Sequence, residues 1–361
     1  MSRTDTGGSP ALKRRRVVIE EDDERVDDDR YGDPSRSVTD RELARNVSAP
    51  TTEPVPVIRS DLWFEDGSVV LQVQDVQFKV HRTILARHSP IFLDVFAMPH
   101  PQDEPTVEGC PVLHLQDSVQ DVRHMLLAFY DKGHSTRDPL AFDAVAAMIR
   151  MGRKYDIDYL RHEALLRLTT EFPTTLSEWD KLPHDYTQIH HQSGILFDIV
   201  NLAHDNDIKS VLPAAYYLCI QEFEDLLTGT ARDDESVAQV PYDVKRECIL
   251  GRERLFRAQT DHLFGWVDNV GCSDKCTQPA RCRAAGSSLI KALYVPMPEP
   301  ARTLERWVEF KQFVPMQTMA LCQVCSKDAE RAHEEGRQQI WNNLPSYFGL
   351  PGWSSLKNFD G

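Results

Sequence analysis

Apolar positions begin to organise near Ser60. Leu62-Trp63-Phe64 precedes Glu65-Asp66-Gly67, a turn signal, and Val69, Leu71 and Val73 then recur at every second position. Phe78-Lys79-Val80 follows a second turn at Gln74-Asp75. Period two across two turns predicts a three-stranded antiparallel meander over 61–64, 68–73 and 77–80 with one buried face. The period then changes. Ile84, Leu85 and His88 share a helical face, Ser89-Pro90 starts a second helix, and Ile91, Phe92, Val95 and Phe96 line it until Pro99 and Pro101. A short strand over 112–115 and helices over 119–131, 140–154 and 158–171 complete an α+β unit, a small antiparallel sheet capped by helices.

Residues 180–361 read as all-helical, with helices near 194–205, 208–226, 242–268, 300–314 and 317–343. A polar loop covers 228–240. Phe142-Asp143 with Asp156-Ile157, and Phe197-Asp198 with Asp207-Ile208, mark two similar helical hairpins. Residues 1–57 carry almost no apolar periodicity, so they cannot bury enough surface to offset their ordering entropy and read as a disordered tail. The expected organisation is a tail over 1–57, an α+β domain over 58–172 and an all-α C-terminal region over 173–361.

The 361 residues carry a net charge of −15, which repels nucleic acid and anionic membranes except at a local basic patch. One patch, Lys13-Arg14-Arg15-Arg16, lies in the tail and reads as a nuclear import signal or a solvated charge run. No run approaches the roughly 18 apolar residues of a membrane helix, and the N-terminus lacks a signal-peptide core. The expectation is a soluble intracellular protein, nuclear or cytoplasmic. Its eight cysteines are then thiols or metal ligands.

Residues 60–171 resemble a BTB/POZ domain. The resemblance begins at Ser60-Asp61-Leu62 and centres on Phe78-Lys79-Val80-His81-Arg82, Ile84-Leu85-Ala86, Ser89, Phe92 and Phe96, with Leu126-Leu127 and Phe129-Tyr130 on a later helix. Gly109-Cys110-Pro111-Val112, Arg153 to Ile157, Phe172-Pro173 with Trp179-Asp180, and the C-terminal series Leu321-Cys322, Cys325, Trp341, Leu344-Pro345, Phe348 and Trp353 resemble the branch found in mushroom-forming fungi. The resemblance implies a protein-interaction module that binds other proteins or itself and has no catalytic residues, so no small-molecule substrate is expected. By burial preference Asp61, Phe78, His81, Leu85, Ser89, Phe92 and Phe96 take mainly structural roles. Dimeric members with zinc fingers carry a helix before the first strand; Pro50, Pro54 and Pro56 argue against it here. The loop 97–104 gives no clear match to the hydrophobic-x-Glu pattern of cullin-binding members.

Cys276, Cys282, Cys322 and Cys325 are candidate ligands of one structural zinc. Cys322 and Cys325 lie a turn apart on a predicted helix, and Cys276 and Cys282 flank a Pro-containing turn in the loop 271–286. Buried free thiols or a redox disulfide are the alternatives. Cys272 is a spare for Cys276, while Cys110, Cys219 and Cys248 read as core. No nucleophile elbow, phosphate loop, dinucleotide fingerprint or H-E-x-x-H helix is present, and His190-His191 near Asp185 reads as a surface loop. An adaptor or scaffold is expected. A DNA-binding nuclear regulator acting through the cysteine region and a cullin-type substrate adaptor are the alternatives.

Overall fold

The computed structural model describes residues 57–98, 106–131, 138–268, 273–294, 302–313 and 320–359. The expectations for residues 1–56, for Cys272 and for most of the loop 97–104 lie outside these residues. Five strands form one sheet: β1 (Ile58–Trp63), β2 (Val69–Val73), β3 (Val76–Val80), β4 (Thr106–Val107) and β5 (Cys110–Leu115). Their order is β1-β3-β2-β5-β4. The β2–β3 hairpin has the antiparallel register Val69↔Val80, Leu71↔Phe78 and Val73↔Val76, closed by Gln74 at a φ of 53°.

The sheet corrects two expectations. It is not an antiparallel meander: β1 runs parallel to β3, and β2 runs parallel to β5. Nor is β2 buried on one face, since Val69, Val70, Leu71 and Val73 are all buried. A strand apolar on both faces belongs at the centre of a sheet, so β2 takes neighbours on both edges and β1 moves to the far side of β3. Even Lys79 is buried on this sheet. Its ammonium donates to the Glu65 carbonyl at 3.0 Å and meets the Glu108 carboxylate at 3.1 Å.

Helices α1 (Arg82–His88), α2 (Pro90–Ala97), α3 (Val119–Tyr130), α4 (Phe142–Lys154) and α5 (Asp158–Glu171) cap the sheet. The Ser118 hydroxyl accepts the Asp121 N–H at 3.0 Å to start α3. Ile91, expected on the buried face of α2, is exposed, and Phe92 alone in that helix is fully buried.

Next come α6 (Leu176–Trp179), α7 (Ile195–Asp205), α8 (Leu212–Cys219) and α9 (Phe223–Thr228). After them are α10 (Tyr242–Ala258), α11 (Gly265–Asp268), α12 (Pro279–Tyr294), α13 (Trp307–Phe313) and α14 (Gln323–Tyr347). The region is helical but not all-α: β6 (Thr230–Ala231) and β7 (Val237–Ala238) form a hairpin inside the expected polar loop. The expected helix 208–226 divides into α8 and α9. The expected helix 242–268 is interrupted by a π-helical turn at Gln259–Leu263. The two sequence-similar hairpins share one turn geometry. Asp156 and Asp207 adopt φ of 50° and 53°, and the following Ile157 and Ile208 N–H groups reach back to Gly152 and Ala203 carbonyls at 2.8 Å. This is a Schellman-type stop, with Asp where glycine is usual.

One apolar core runs from the sheet through both sets of helices. The C-terminal segment returns to the residues after α5. Trp341 packs on Trp179 with ring centroids 5.5 Å apart and donates to the Thr174 carbonyl at 3.1 Å. Trp353 stacks on Trp341 at 5.4 Å.

Beside this junction lies a buried polar knot. Glu305 is 2% exposed, and burial, reinforced by the neighbouring Glu309 carboxylate and opposed by Arg302, pushes its carboxyl up to about 8. His333, whose Nε2 meets the Glu305 carbonyl at 2.9 Å, is pushed by burial down to about 4. Above pH 4.5 the unfolded chain loses the Glu305 proton while the folded chain keeps it. Glu305 therefore weakens the fold as pH rises toward 8, at up to about 1.4 kcal/mol per pH unit. His333 acts oppositely and costs stability as pH falls from 6.5 toward 4. Urea titrations at pH 6 and pH 8 should show Glu305→Gln losing less stability over this interval than the parent chain. Equal losses would place the Glu305 proton elsewhere.

Candidate functional site

Four sulfurs converge where α12 meets the start of α14. Cys276 lies in the turn before α12, Cys282 in the first turn of α12, Cys322 at the N-cap of α14 and Cys325 in its first turn. Cys282 was expected in a loop; α12 begins at Pro279, which is suited to a first helical turn. Likewise Cys322 caps α14 and does not lie within it.

Cys276 Sγ is 3.7 Å from Cys282 Sγ and 3.7 Å from Cys322 Sγ, and all four sulfurs lie within 4.8 Å of one another. Four Zn–S bonds of about 2.3 Å in a tetrahedron place sulfurs about 3.8 Å apart. Backbone donors surround the group. The N–H of Gln278 points at Cys276 Sγ (3.4 Å), that of Cys322 at Cys282 Sγ (3.3 Å) and that of Cys325 at Cys322 Sγ (3.5 Å). Such donors favour thiolates over thiols. The N–H groups of Cys325 and Thr277 hold the Cys322 thiol down to about 5, whereas burial pushes Cys325 and Cys282 up. Four adjacent thiols cannot all ionise without a compensating cation, and a bound dication reverses that balance. The cluster is distinct from the main core; among the described residues Leu321 and Val324 are its other apolar neighbours, and Leu321 packs against the main core as well. Four clustered cysteines of this geometry can hold a metal ion.

The other described cysteines lie elsewhere. Cys110, Cys219 and Cys248 are buried, with Cys110 Sγ 3.2 Å from the Gly67 carbonyl. Burial pushes the Cys219 thiol well up, with Cys248 beside it.

In the α+β unit, Phe78, Leu85 and Phe92 are at most 1% exposed. Phe96 is half-buried, with the Arg82 guanidinium 5.5 Å from its ring. The Ser89 hydroxyl caps α2 by accepting the Phe92 N–H at 3.1 Å and donates to the Tyr155 carbonyl at 2.5 Å. His81 sits at the strand-to-helix turn. Its backbone N–H donates to the Tyr130 hydroxyl at 3.0 Å, its Nδ1 lies 3.1 Å from that hydroxyl, and its Nε2 lies 3.1 Å from Asp66. The phenol donating to Nδ1 and Nε2–H donating to Asp66 satisfies every partner. Asp61 pairs with Arg123 at 2.7 Å, and that guanidinium holds its carboxyl below the ordinary range.

Two features escape sequence reasoning. One is the Tyr155 hydroxyl bonded to Asp117 at 2.5 Å, across 38 positions. The other is a groove of about 1010 Å³ lined by Tyr186, Phe223, Glu224 and Asp233, among others. No period or spacing marks either, because each joins distant segments. Among the described residues no helix is long and apolar enough to cross a membrane.

No curated protein matches the chain. The match to a known family falls on β2 to β5 and their helical cap: residues 65–170 fit the BTB/POZ domain family, and this part of the chain is a BTB/POZ domain, a protein–protein interaction module.

Proposed function

We propose that this chain is an intracellular, non-enzymatic adaptor or scaffold of the branch found in mushroom-forming fungi. Its BTB/POZ domain engages another protein or a second copy of itself, and the helical C-terminal region offers a second surface. The supporting observation is the BTB/POZ match together with large apolar side chains left on α2 and just after it. Leu93 is 54% exposed and Met98 59%, against the usual rule that such side chains gather inside. The net charge of −15 favours protein over nucleic acid as the partner. Affinity capture with the full chain, compared with a Leu93→Asp/Met98→Asp variant, tests the reading. The variant should lose the captured partner or its self-association with an unchanged thermal midpoint. A salt-dependent DNA shift by the parent chain would favour the nuclear-regulator reading instead.

A structural zinc belongs to the same reading. Cys276, Cys282, Cys322 and Cys325 hold it as a closed tetrathiolate, which leaves no open position for catalysis. Purified protein should carry about one zinc per chain and lose helical signal on chelation, as expected where metal binding is coupled to folding. Zinc-free protein with full helical signal would return the four residues to ordinary thiols.

A further inference from the structure

The four sulfurs are not equivalent toward solvent. Cys282, Cys322 and Cys325 are buried at 0%, 7% and 8% exposure, whereas Cys276 is only half-buried, in a turn beside the exposed Lys275. Oxidation of cysteine follows access and thiolate character, and metal coordination keeps all four sulfurs as thiolates. An oxidant arriving from solvent therefore meets Cys276 first. Two further sulfurs, those of Cys282 and Cys322, stand 3.7 Å from it, close enough to complete a disulfide with a small movement.

We propose that Cys276 is an oxidation site, at which a peroxide converts the zinc-binding group into a disulfide, expels the metal and removes the metal link between α12 and α14. This rests on the zinc reading above. In the first step the Cys276 thiolate attacks one peroxide oxygen. The O–O bond breaks, hydroxide leaves and Cys276 becomes a sulfenic acid. In the second step the Cys282 or Cys322 thiolate attacks the Cys276 sulfur, the S–O bond breaks and a second hydroxide leaves. Overall, two thiolates, one hydrogen peroxide and two protons give one disulfide and two waters. The two sulfurs lose two electrons and the peroxide gains them.

Two thiolates then remain for the zinc, half its coordination shell, and the ion departs. The structural consequence is confined. Cys282 buries the first turn of α12 in the cluster, but Leu289, two turns further on, is 1% exposed within the main core. With a Cys276–Cys282 disulfide, release of the metal loosens the segment from Ser273 through the first turns of α12; with a Cys276–Cys322 disulfide that segment stays tied to the N-cap of α14, and in both the end of α12 remains anchored.

The test uses the full-length zinc-loaded protein. A zinc-sensing dye follows release during titration with hydrogen peroxide, and peptide mass mapping locates the oxidised cysteines. The expected result is release of about one zinc per chain in step with a disulfide joining Cys276 to Cys282 or Cys322. Cys219 and Cys248 should remain thiols, and thiol reductant plus zinc should restore the starting state. Zinc retained while other thiols oxidise would overturn the proposal, as would a disulfide lacking Cys276. Protein that carries no zinc before peroxide is added would instead remove the reading on which the proposal stands, and that outcome is seen first.

Discussion

Replacing Arg337 with alanine should destabilise the protein by about 3–5 kcal/mol, the range for removing one partner of a buried ion pair. Arg337 is 2% exposed on α14. Its guanidinium pairs with Asp180, one contact of the fork being Nη1 to Oδ2 at 3.0 Å. It also donates from Nε to the Leu304 carbonyl at 2.9 Å and from Nη1 to Glu334 at 3.0 Å. These contacts join the segment after α6, the segment before α13, and α14. Truncation leaves the Asp180 carboxylate without this partner and the Leu304 carbonyl without its donor, so the loss exceeds that of one exposed salt bridge. Urea unfolding of parent and variant measures it. Arg337→Lys should recover only part, because an ammonium cannot reproduce the fork. A loss below about 1 kcal/mol would show that the site relaxes or admits water.

Phe92→Ala should cost about 3–5 kcal/mol, as for other buried aromatics. Phe92 is 1% exposed, and its ring stacks on Tyr155 at 4.5 Å with an 8° interplanar angle. The backbone on both sides is held by Ser89, which caps α2 and bonds to the Tyr155 carbonyl, so the surroundings are poorly placed to collapse into the vacated volume. Thermal or chemical denaturation reads the effect. Phe96→Ala should cost less, since that ring is only half-buried. Equal losses for the two would mean that the face of α2 has been misassigned.

How far these features are legible before the fold is known depends on the range of the interactions that make them. The β2–β3 hairpin, the Ser89-Pro90 start of α2 and the helices of the α+β unit follow from period, turn chemistry and caps, all acting within a few residues. The BTB/POZ resemblance rests on side chains at fixed offsets within that unit, and the family match falls on the same stretch. Strand order is different. Val70 breaks the simple alternation of β2 and signals a strand buried on both faces, yet nothing local says that β1 pairs in parallel with β3 or that β5 joins the other edge.

The cysteines divide along the same line. Their number and the one-turn spacing of Cys322 and Cys325 point by themselves to thiolate chemistry, and composition alone disfavours a nucleic-acid partner. That Cys282 rides on a helix, that its sulfur receives the N–H of a residue 40 positions away, and that Cys276 is the most open of the four were decided by the packing of α12 against α14. Periodicity and capping are set by hydrogen bonds and side chains a few residues apart, so the chain carries them in plain view. Convergence of four sulfurs, like the meeting of Arg337 with Asp180, requires helices far apart in sequence to bury a shared apolar surface first, and only the closed core fixes that geometry.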